Sequence, residues 1–231
     1  MDQAKLCLQL GLLDKAVEMV EAWKGECSID LTGAVYKAAI KERRKAWRVI
    51  VTEEHKHGEV GNLRLVHLCR LQRQMVETEL MDLCSQGIRR LKTCEPEGDR
   101  ARCTQLKLLA DIRRYQIDVY REQGNQACLH DCKEECHSWY KQAVSQCESL
   151  DVWDSLVLSV ILNFSVFQFE ILKKRRDACI LTKQTIDKVI AKLGPLVMSD
   201  GRTVTGQTVD DKTVCLIGVL RDNLIKWTNS T

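Results

Sequence analysis

The chain has 231 residues, of which 45% are hydrophobic, and its positive charges exceed its negative charges by only three. An apolar fraction of this size supplies a packed core, so the composition excludes a disordered chain. A net charge this small argues against nucleic acid or an anionic membrane as the partner, and any basic site must be local.

The order of apolar and polar residues predicts an all-α protein. Two prolines and 12 glycines are too few for the turns of an all-β chain. Helical periodicity predicts two short helices within 2–25, broken between Gly11 and Asp14, and seven further helices over 30–57, 62–94, 100–122, 127–148, 152–172, 177–193 and 209–227. Residues 196–208 read as a polar loop. Short connections favour nine antiparallel helices in a single domain over residues 1–231.

No run of about 18 apolar residues occurs, and the N-terminal segment lacks the cleavage pattern of a secretory signal. We therefore expect a cytoplasmic protein. The sequence also contains no HExxH, GxGxxG or P-loop motif and no nucleophile with a recognisable partner, so we expect no enzymatic activity.

Twelve cysteines are spread through the predicted helices, and most of them are interpreted as reduced, buried small side chains. Three of them recur every four residues near two histidines and could offer a metal one face of a helix: Cys128, Cys132 and Cys136, with His130 and His137. Structural zinc sites usually bring a second ligand pair from another segment, and that pair is missing here. We predict a packed cysteine stripe and no metal or other cofactor.

Four polar side chains suit the binding of a phosphate. Lys37 and Arg44 are seven residues apart on one predicted helix, about two turns, so both rise from nearly the same face. Arg114 and Tyr115 are adjacent on a later helix and combine a guanidinium with a phenolic hydroxyl. Cations on amphipathic helices are usually only solvated, so spacing alone does not establish a site.

Longer strings carry a resemblance to a known family. LNFSVFQFEIL at 162–172 is very similar to the LNFSVFYYEIL of the 14-3-3 family, and LRDNLIKWT at 220–228 resembles its LRDNLTLWT. YKAAIKERRKAWRVI at 36–50 resembles its YKNVVGARRSSWRVI. Weaker matches, VETELMDLC at 76–84 and RRYQIDV at 113–119, fall in the expected order.

The resemblance implies a cup of nine antiparallel helices with a concave ligand groove. It implies a phosphoserine- or phosphothreonine-dependent adaptor that binds and regulates phosphorylated client proteins. The phosphate would be held by Lys37, Arg44, Arg114 and Tyr115. The ligand peptide would be held by Asn163 and Asn223, with Glu170 near the phosphate and an apolar wall of Leu162, Val166, Leu216, Val219 and Trp227. For each apolar residue an ordinary core role is the alternative.

The chain departs from the family at several positions. Leu109 stands where a groove lysine is expected, and Lys226 replaces the leucine before the final tryptophan. In the family, the first helices of one subunit pair with the fourth helix of the other through ion pairs. The matching residues here are Leu12 and Lys15 facing Met75 and Glu79, with Gln72 in place of a tyrosine, and they cannot form those ion pairs. The apolar side chains of Leu8, Leu12, Leu13 and Met75 support a drier interface in place of those ion pairs. We predict a homodimer through helices in 1–94, with a monomer as the alternative, and much of the groove in 100–228.

A helical scaffold that binds unphosphorylated partners through an altered groove is the alternative function. Peptides with and without phosphate discriminate the two.

Overall fold

The computed structural model describes residues 2–193 and 210–229, so the predicted loop 196–208 lies outside the described residues. Within the described ranges the chain forms nine α-helices and no strand. The helices are α1 Asp2–Gln9, α2 Leu13–Ala22, α3 Ile29–Glu59, α4 Leu63–Lys92, α5 Gly98–Glu122, α6 Gln126–Gln146, α7 Ser155–Val166, α8 Arg175–Leu193 and α9 Asp211–Asn229. A 3-10 turn, Cys147–Ser149, follows α6, and a π-helical turn, Phe167–Ile171, follows α7. The prediction of an all-α fold is confirmed.

Side-chain caps fix where several helices begin. The Ser28 hydroxyl accepts a hydrogen bond from the Leu31 backbone N–H at 3.3 Å, and the Asn62 side chain accepts one from Leu65 at 3.2 Å. Both satisfy an N–H that has no partner inside its own helix. Gly61, with φ of 71°, makes the tight turn between α3 and α4, a conformation that favours glycine.

The described chain divides into two compact units. The first unit comprises Met1–Pro96 and Asp111–Cys132, and the second unit comprises Glu97–Ala110 and Lys133–Thr231. Helices α5 and α6 each contribute to both units. The expectation of one domain over residues 1–231 stays a prediction.

The first unit is built on the helical hairpin of α3 and α4, against which α1 and α2 also pack. Tyr36, Ile40 and Leu80 are fully buried in its core. Gly87 leaves room for the Tyr36 ring, because a Cβ atom at Gly87 would lie 3.0 Å from that ring. The absence of a side chain at Gly87 thus sets how closely α3 and α4 approach.

Buried charges also join these two helices. The Glu54 carboxylate accepts a hydrogen bond from Arg70 Nε at 2.9 Å and lies 3.2 Å from Arg73 Nε. The Glu77 carboxylate accepts a hydrogen bond from the Trp47 indole at 2.9 Å. Buried carboxylates of this kind are costly unless they are paired. Removing the side chain of Arg70, Arg73 or Trp47 would therefore destabilise the hairpin.

The second unit packs α7, α8 and α9 together. Its core includes an aromatic cluster of Tyr140, Phe164 and Phe167. The centroid of the Tyr140 ring lies 5.6 Å from that of Phe164 and 5.5 Å from that of Phe167. Across the described ranges no helix combines the length and the hydropathy needed to cross a membrane.

Candidate functional site

A depression of about 780 Å³ on the first unit is lined mainly by one face of α3. The residues involved recur every three or four positions, which places them on the same side of the helix. Five cations, one carboxylate and Tyr115 of α5 contribute the polar lining; the charged residues are Lys37, Lys41, Glu42, Arg44, Lys45 and Arg48. The local excess of positive charge suits an anionic ligand.

Arg44 is held against α5 by two contacts. Its guanidinium carbon lies 4.2 Å from the centroid of the Tyr115 ring, and one guanidinium nitrogen donates to the Asp118 carboxylate. A cation over an aromatic face is attracted by the ring quadrupole, while the carboxylate supplies a charge-assisted hydrogen bond. Only 16% of the Arg44 side chain is exposed. The guanidinium is therefore partly desolvated and held in one place before any ligand arrives.

Lys37 lies about two turns earlier on α3 and faces a second carboxylate of α5. Its ammonium is 3.9 Å from the Asp111 carboxylate, which is almost completely buried, while the Lys37 side chain is 40% exposed. A buried carboxylate is costly unless a cation lies nearby, so the Lys37 ammonium offsets part of the cost of burying Asp111. The exposed part of the Lys37 side chain remains accessible to a ligand in the depression.

Tyr115 and Arg114 complete the set on α5. Arg114 directly precedes Tyr115 in the chain, and its guanidinium carbon lies 5.5 Å from the centroid of the Tyr115 ring. Burial raises the pKa of Tyr115, and the negative charge of Asp111 raises it further, while Arg114 and Arg44 oppose the rise. The phenol therefore keeps its proton at neutral pH and can donate a hydrogen bond.

The structure thus brings the four predicted phosphate-binding residues onto two helices of the first unit. Lys37, Arg44 and Tyr115 line the same depression, and Arg114 lies beside the Tyr115 ring. Their assignment to phosphate stays a prediction. Sequence reasoning missed two groups of residues here: the carboxylates Asp111 and Asp118, and the further cations Lys41, Lys45 and Arg48. Helical spacing places Lys41, Lys45 and Arg48 four, eight and eleven residues after Lys37, and Asp111 and Asp118 four residues before and three after Tyr115, so both groups share a helix face with predicted residues.

The predicted peptide-binding residues lie in the second unit. Asn163, Leu162 and Val166 are half-buried on α7, and Glu170 is exposed in the π-helical turn. On α9, Leu216, Val219 and Asn223 follow at i, i+3 and i+7, which puts them on one face. Val219 is 39% exposed and the other two are half-buried.

Trp227 differs from the rest of this set. Its side chain is only 8% exposed, and its ring stacks on Phe169 with centroids 4.6 Å apart and planes 13° apart. The stacking partner comes from the π-helical turn after α7, which the sequence pattern did not reveal. Trp227 therefore packs in the described structure as a core residue, the role given above as the alternative, and any ligand contact would be limited to its exposed edge.

The predicted interface residues lie on the surface of the first unit. Leu12 is 44% exposed and Met75 is 59% exposed. Lys15, Gln72 and Glu79 are exposed as well, whereas Leu8 and Leu13 are half-buried. The Glu79 carboxylate already accepts a hydrogen bond from Arg43 at 2.8 Å within the chain, a partner that sequence comparison did not reveal.

The cysteine stripe of α6 is largely packed. Cys132 and Cys136 are buried, Cys128 is half-buried, and no cysteine among the described residues forms a disulfide bond. Within residues 2–193 and 210–229, no group of three or more His, Cys, Asp or Glu side chains is placed to hold a metal ion. The expectation of a metal-free protein stays a prediction.

Comparison with known proteins gives one consistent result. A family model described as 14-3-3 protein matches residues 4–228. The chain is 33% identical to the 14-3-3-like protein GF14 chi of Arabidopsis thaliana, in an alignment covering 98% of this chain and 84% of that protein. It is 31% identical to 14-3-3 protein epsilon of Drosophila melanogaster, covering 98% and 86%, and 30% identical to 14-3-3 protein beta/alpha-B of Xenopus laevis, covering 94% and 84%.

Proposed function

Because this chain belongs to the 14-3-3 family, we propose that it is an adaptor that binds phosphoserine- or phosphothreonine-containing segments of client proteins and thereby regulates them. Family membership supports a protein-binding adaptor role in general. The dependence on phosphate is supported by one observation above all: Lys37, Arg44 and Tyr115 line a single cationic depression.

The donors of this depression match the chemistry of a phosphorylated hydroxyl. A phosphoserine carries nearly two negative charges and three acceptor oxygens, whereas serine offers a single hydroxyl. A guanidinium fork, an ammonium and a phenol can each donate to a different phosphate oxygen. Arg44 and Lys37 already have carboxylate partners on α5, so phosphate binding exchanges or shares these partners. An unphosphorylated peptide brings no charge to compete with Asp118 and Asp111 and is expected to bind poorly.

The remaining assignments follow the same resemblance. We propose that Asn163 and Asn223 hydrogen-bond the main chain of the bound segment, which makes recognition independent of its side chains. The side chains of the bound segment would contact Glu170 and an apolar surface formed by Leu162, Val166, Leu216 and Val219. Trp227 would contact the segment only through the exposed edge of its ring. Binding of this kind forms and breaks no covalent bond, so no catalytic activity is proposed. We place the protein in the cytoplasm, with no cofactor and with neither nucleic acid nor membrane as partner.

We also propose that the protein forms a homodimer through the surface that carries Leu12 and Met75. Apolar side chains exposed to this degree are favourably buried against a second copy, because burial releases water from apolar surface. The intrachain pairing of Glu79 with Arg43 leaves this carboxylate satisfied without an ion pair across the interface.

One observation favours the alternative function, a scaffold for unphosphorylated partners. Asp111 and Asp118 already neutralise Lys37 and Arg44, so the site is stable without an anion.

The two proposed functions predict that the protein retains different peptides from a library. Pull-down with a library of phosphopeptides and its unphosphorylated copy, using wild type beside Arg44→Ala, separates them. The adaptor function predicts enrichment of phosphopeptides by wild type and its loss in Arg44→Ala. Equal enrichment of both libraries would support the scaffold. Arg64→Ala, at an exposed position of α4, is the matched control.

A further inference from the structure

The surplus positive charge of the depression does not come from the predicted phosphate-binding residues on α3. Lys37 faces Asp111, and Arg44 is ion-paired with Asp118. Lys41, Lys45 and Arg48 are instead exposed, and none of them forms an ion pair with another residue of the described part of the chain. These three residues are called the outer cations below. Glu42 is the single carboxylate in the same lining, so the outer cations leave an excess of positive charge.

Two of the outer cations differ from the family string quoted above. In the family string YKNVVGARRSSWRVI, a glycine and a serine stand at the positions that Lys41 and Lys45 occupy here. Arg48 matches an arginine of that string. The depression therefore gains two ammonium groups on the same helical face as Lys37 and Arg44. Like charges this close repel one another, which favours an anionic ligand able to separate or neutralise them.

The spacing of these cations along α3 gives the length of a peptide segment that could contact all of them. From Lys37 to Arg48 the helix rises about 16 Å, at about 1.5 Å per residue. An extended peptide advances about 3.3 Å per residue, so about five residues of a bound segment run along this stripe. Arg48 lies about 6 Å beyond Arg44 along the helix axis, which corresponds to about two peptide residues.

We infer that the preferred ligand carries a second anionic group, a carboxylate or a second phosphate, about two to four residues from the phosphorylated residue, and that Lys41, Lys45 and Arg48 bind it. This inference rests on the proposed function and specifies the class of segment that the site selects. A carboxylate and a phosphate both place acceptor oxygens and negative charge before exposed ammonium groups. The attraction is screened beyond about 8 Å at physiological salt, so it acts only on an anionic group that the bound segment brings close to the outer cations.

Fluorescence polarisation with a small peptide series tests the inference. One phosphopeptide has uncharged flanks, and further versions carry glutamate or a second phosphoserine two to four residues before or after the phosphorylated residue. The unphosphorylated copy of the first peptide completes the series. We expect wild type to bind at least one anion-flanked version about fivefold more tightly than the uncharged version. Lys41→Gln/Lys45→Gln is expected to lose this preference and to bind the uncharged version within about threefold of wild type.

A matched control removes the same charge elsewhere. Lys188→Gln/Lys192→Gln changes two exposed lysines at the same four-residue spacing on α8 and is expected to keep the preference. No preference in wild type, or an equal preference in Lys41→Gln/Lys45→Gln, would overturn the inference while leaving the proposed function in place. Equal binding of the uncharged phosphopeptide and its unphosphorylated copy would instead overturn the proposed function, and the inference with it. Loss of phosphatidylserine vesicle binding in the double variant, without any peptide preference, would assign the outer cations to a membrane and also overturn the inference.

Discussion

The guanidinium of Arg44 lies 4.2 Å from the centre of the Tyr115 ring and is ion-paired with Asp118, three residues further along α5. The ring restricts the position of the cation, and the carboxylate orients its donors. A ligand therefore meets a guanidinium that has already lost much of its side-chain freedom, which lowers the entropic cost of binding.

Substitutions at Arg44 separate its charge from its shape. Arg44→Lys keeps the charge but loses the planar fork and most of the stacking on Tyr115, so we expect phosphopeptide affinity to fall about fivefold. Arg44→Ala loses both and is expected to weaken binding by at least about 20-fold. Calorimetric titration measures both values, and circular dichroism checks that helicity is unchanged. Affinity for Arg44→Ala equal to that of wild type would exclude Arg44 from the site.

The contact between Gly87 and Tyr36 predicts opposite effects for two glycine substitutions. A Cβ atom at Gly87 would lie 3.0 Å from the fully buried Tyr36 ring, so Gly87→Ala is expected to destabilise the protein by about 1–3 kcal/mol. Gly58 is helical with no atom within 4 Å of such a Cβ, so Gly58→Ala is expected to stabilise by about 0.5 kcal/mol. Thermal melting compares the two variants with wild type. A Gly87→Ala protein as stable as wild type would show that α3 and α4 can separate freely.

The buried thiol of Cys84 predicts a loss of stability in alkali. Burial raises its pKa to about 12, although the charges of Arg44 and Arg113 oppose the rise. In the unfolded chain a thiol titrates near about pH 8.5. The folded state therefore binds this proton more tightly, and the stabilisation is complete below about pH 8.5 and lost progressively as the pH rises toward 12.

Cys84→Ala removes this titration and so should flatten the dependence of Tm on pH. Between about pH 8.5 and 10.5 we expect the Tm of wild type to fall by about 4 °C more than that of the variant. Burial also raises the pKa of Tyr36, but Tyr36 is present in both proteins, so the difference isolates Cys84. Parallel curves would show that Cys84 is not buried as a protonated thiol.

The exposed apolar residues of the first unit predict a dimer that a single charge disrupts. Sedimentation at micromolar concentration should give twice the 26.5 kDa chain mass for wild type and the single-chain mass for Met75→Glu. Met75 is 59% exposed, so the substitution should leave the fold intact. Ile180→Glu, at a position that is 44% exposed on α8, is the control and should remain a dimer. A monomeric wild type would contradict the proposed interface.

Helix positions could be predicted, because the periodicity of the local sequence determines them, whereas the assignment of Lys37, Arg44, Arg114 and Tyr115 to phosphate stays a prediction. The periodicity of residues 62–94 and the break at Gly11 correspond closely to α4 and to the boundary between α1 and α2. The π-helical turn at Phe167–Ile171 could not be predicted, since its sequence continues the apolar pattern of α7 and only tertiary packing distinguishes it.

Partners between helices were also beyond the reach of sequence patterns. Asp111 and Asp118 follow helical spacing on α5, but their pairing with Lys37 and Arg44 depends on how α3 and α5 align, which no single-helix pattern contains. The stacking of Trp227 on Phe169 has the same origin. The outer cations are visible in the sequence, but exposed lysines on a helix are usually only solvated, so their pattern alone does not indicate a binding role.

Phosphate recognition is tested most directly by the affinity of wild type for one phosphopeptide and for its unphosphorylated copy, measured by fluorescence polarisation under the same conditions. Charge-assisted hydrogen bonds from Lys37, Arg44 and Arg114 predict that removing the phosphate weakens binding by at least about 100-fold. Equal affinity for the two peptides would contradict phosphate recognition at the Arg44 and Tyr115 site.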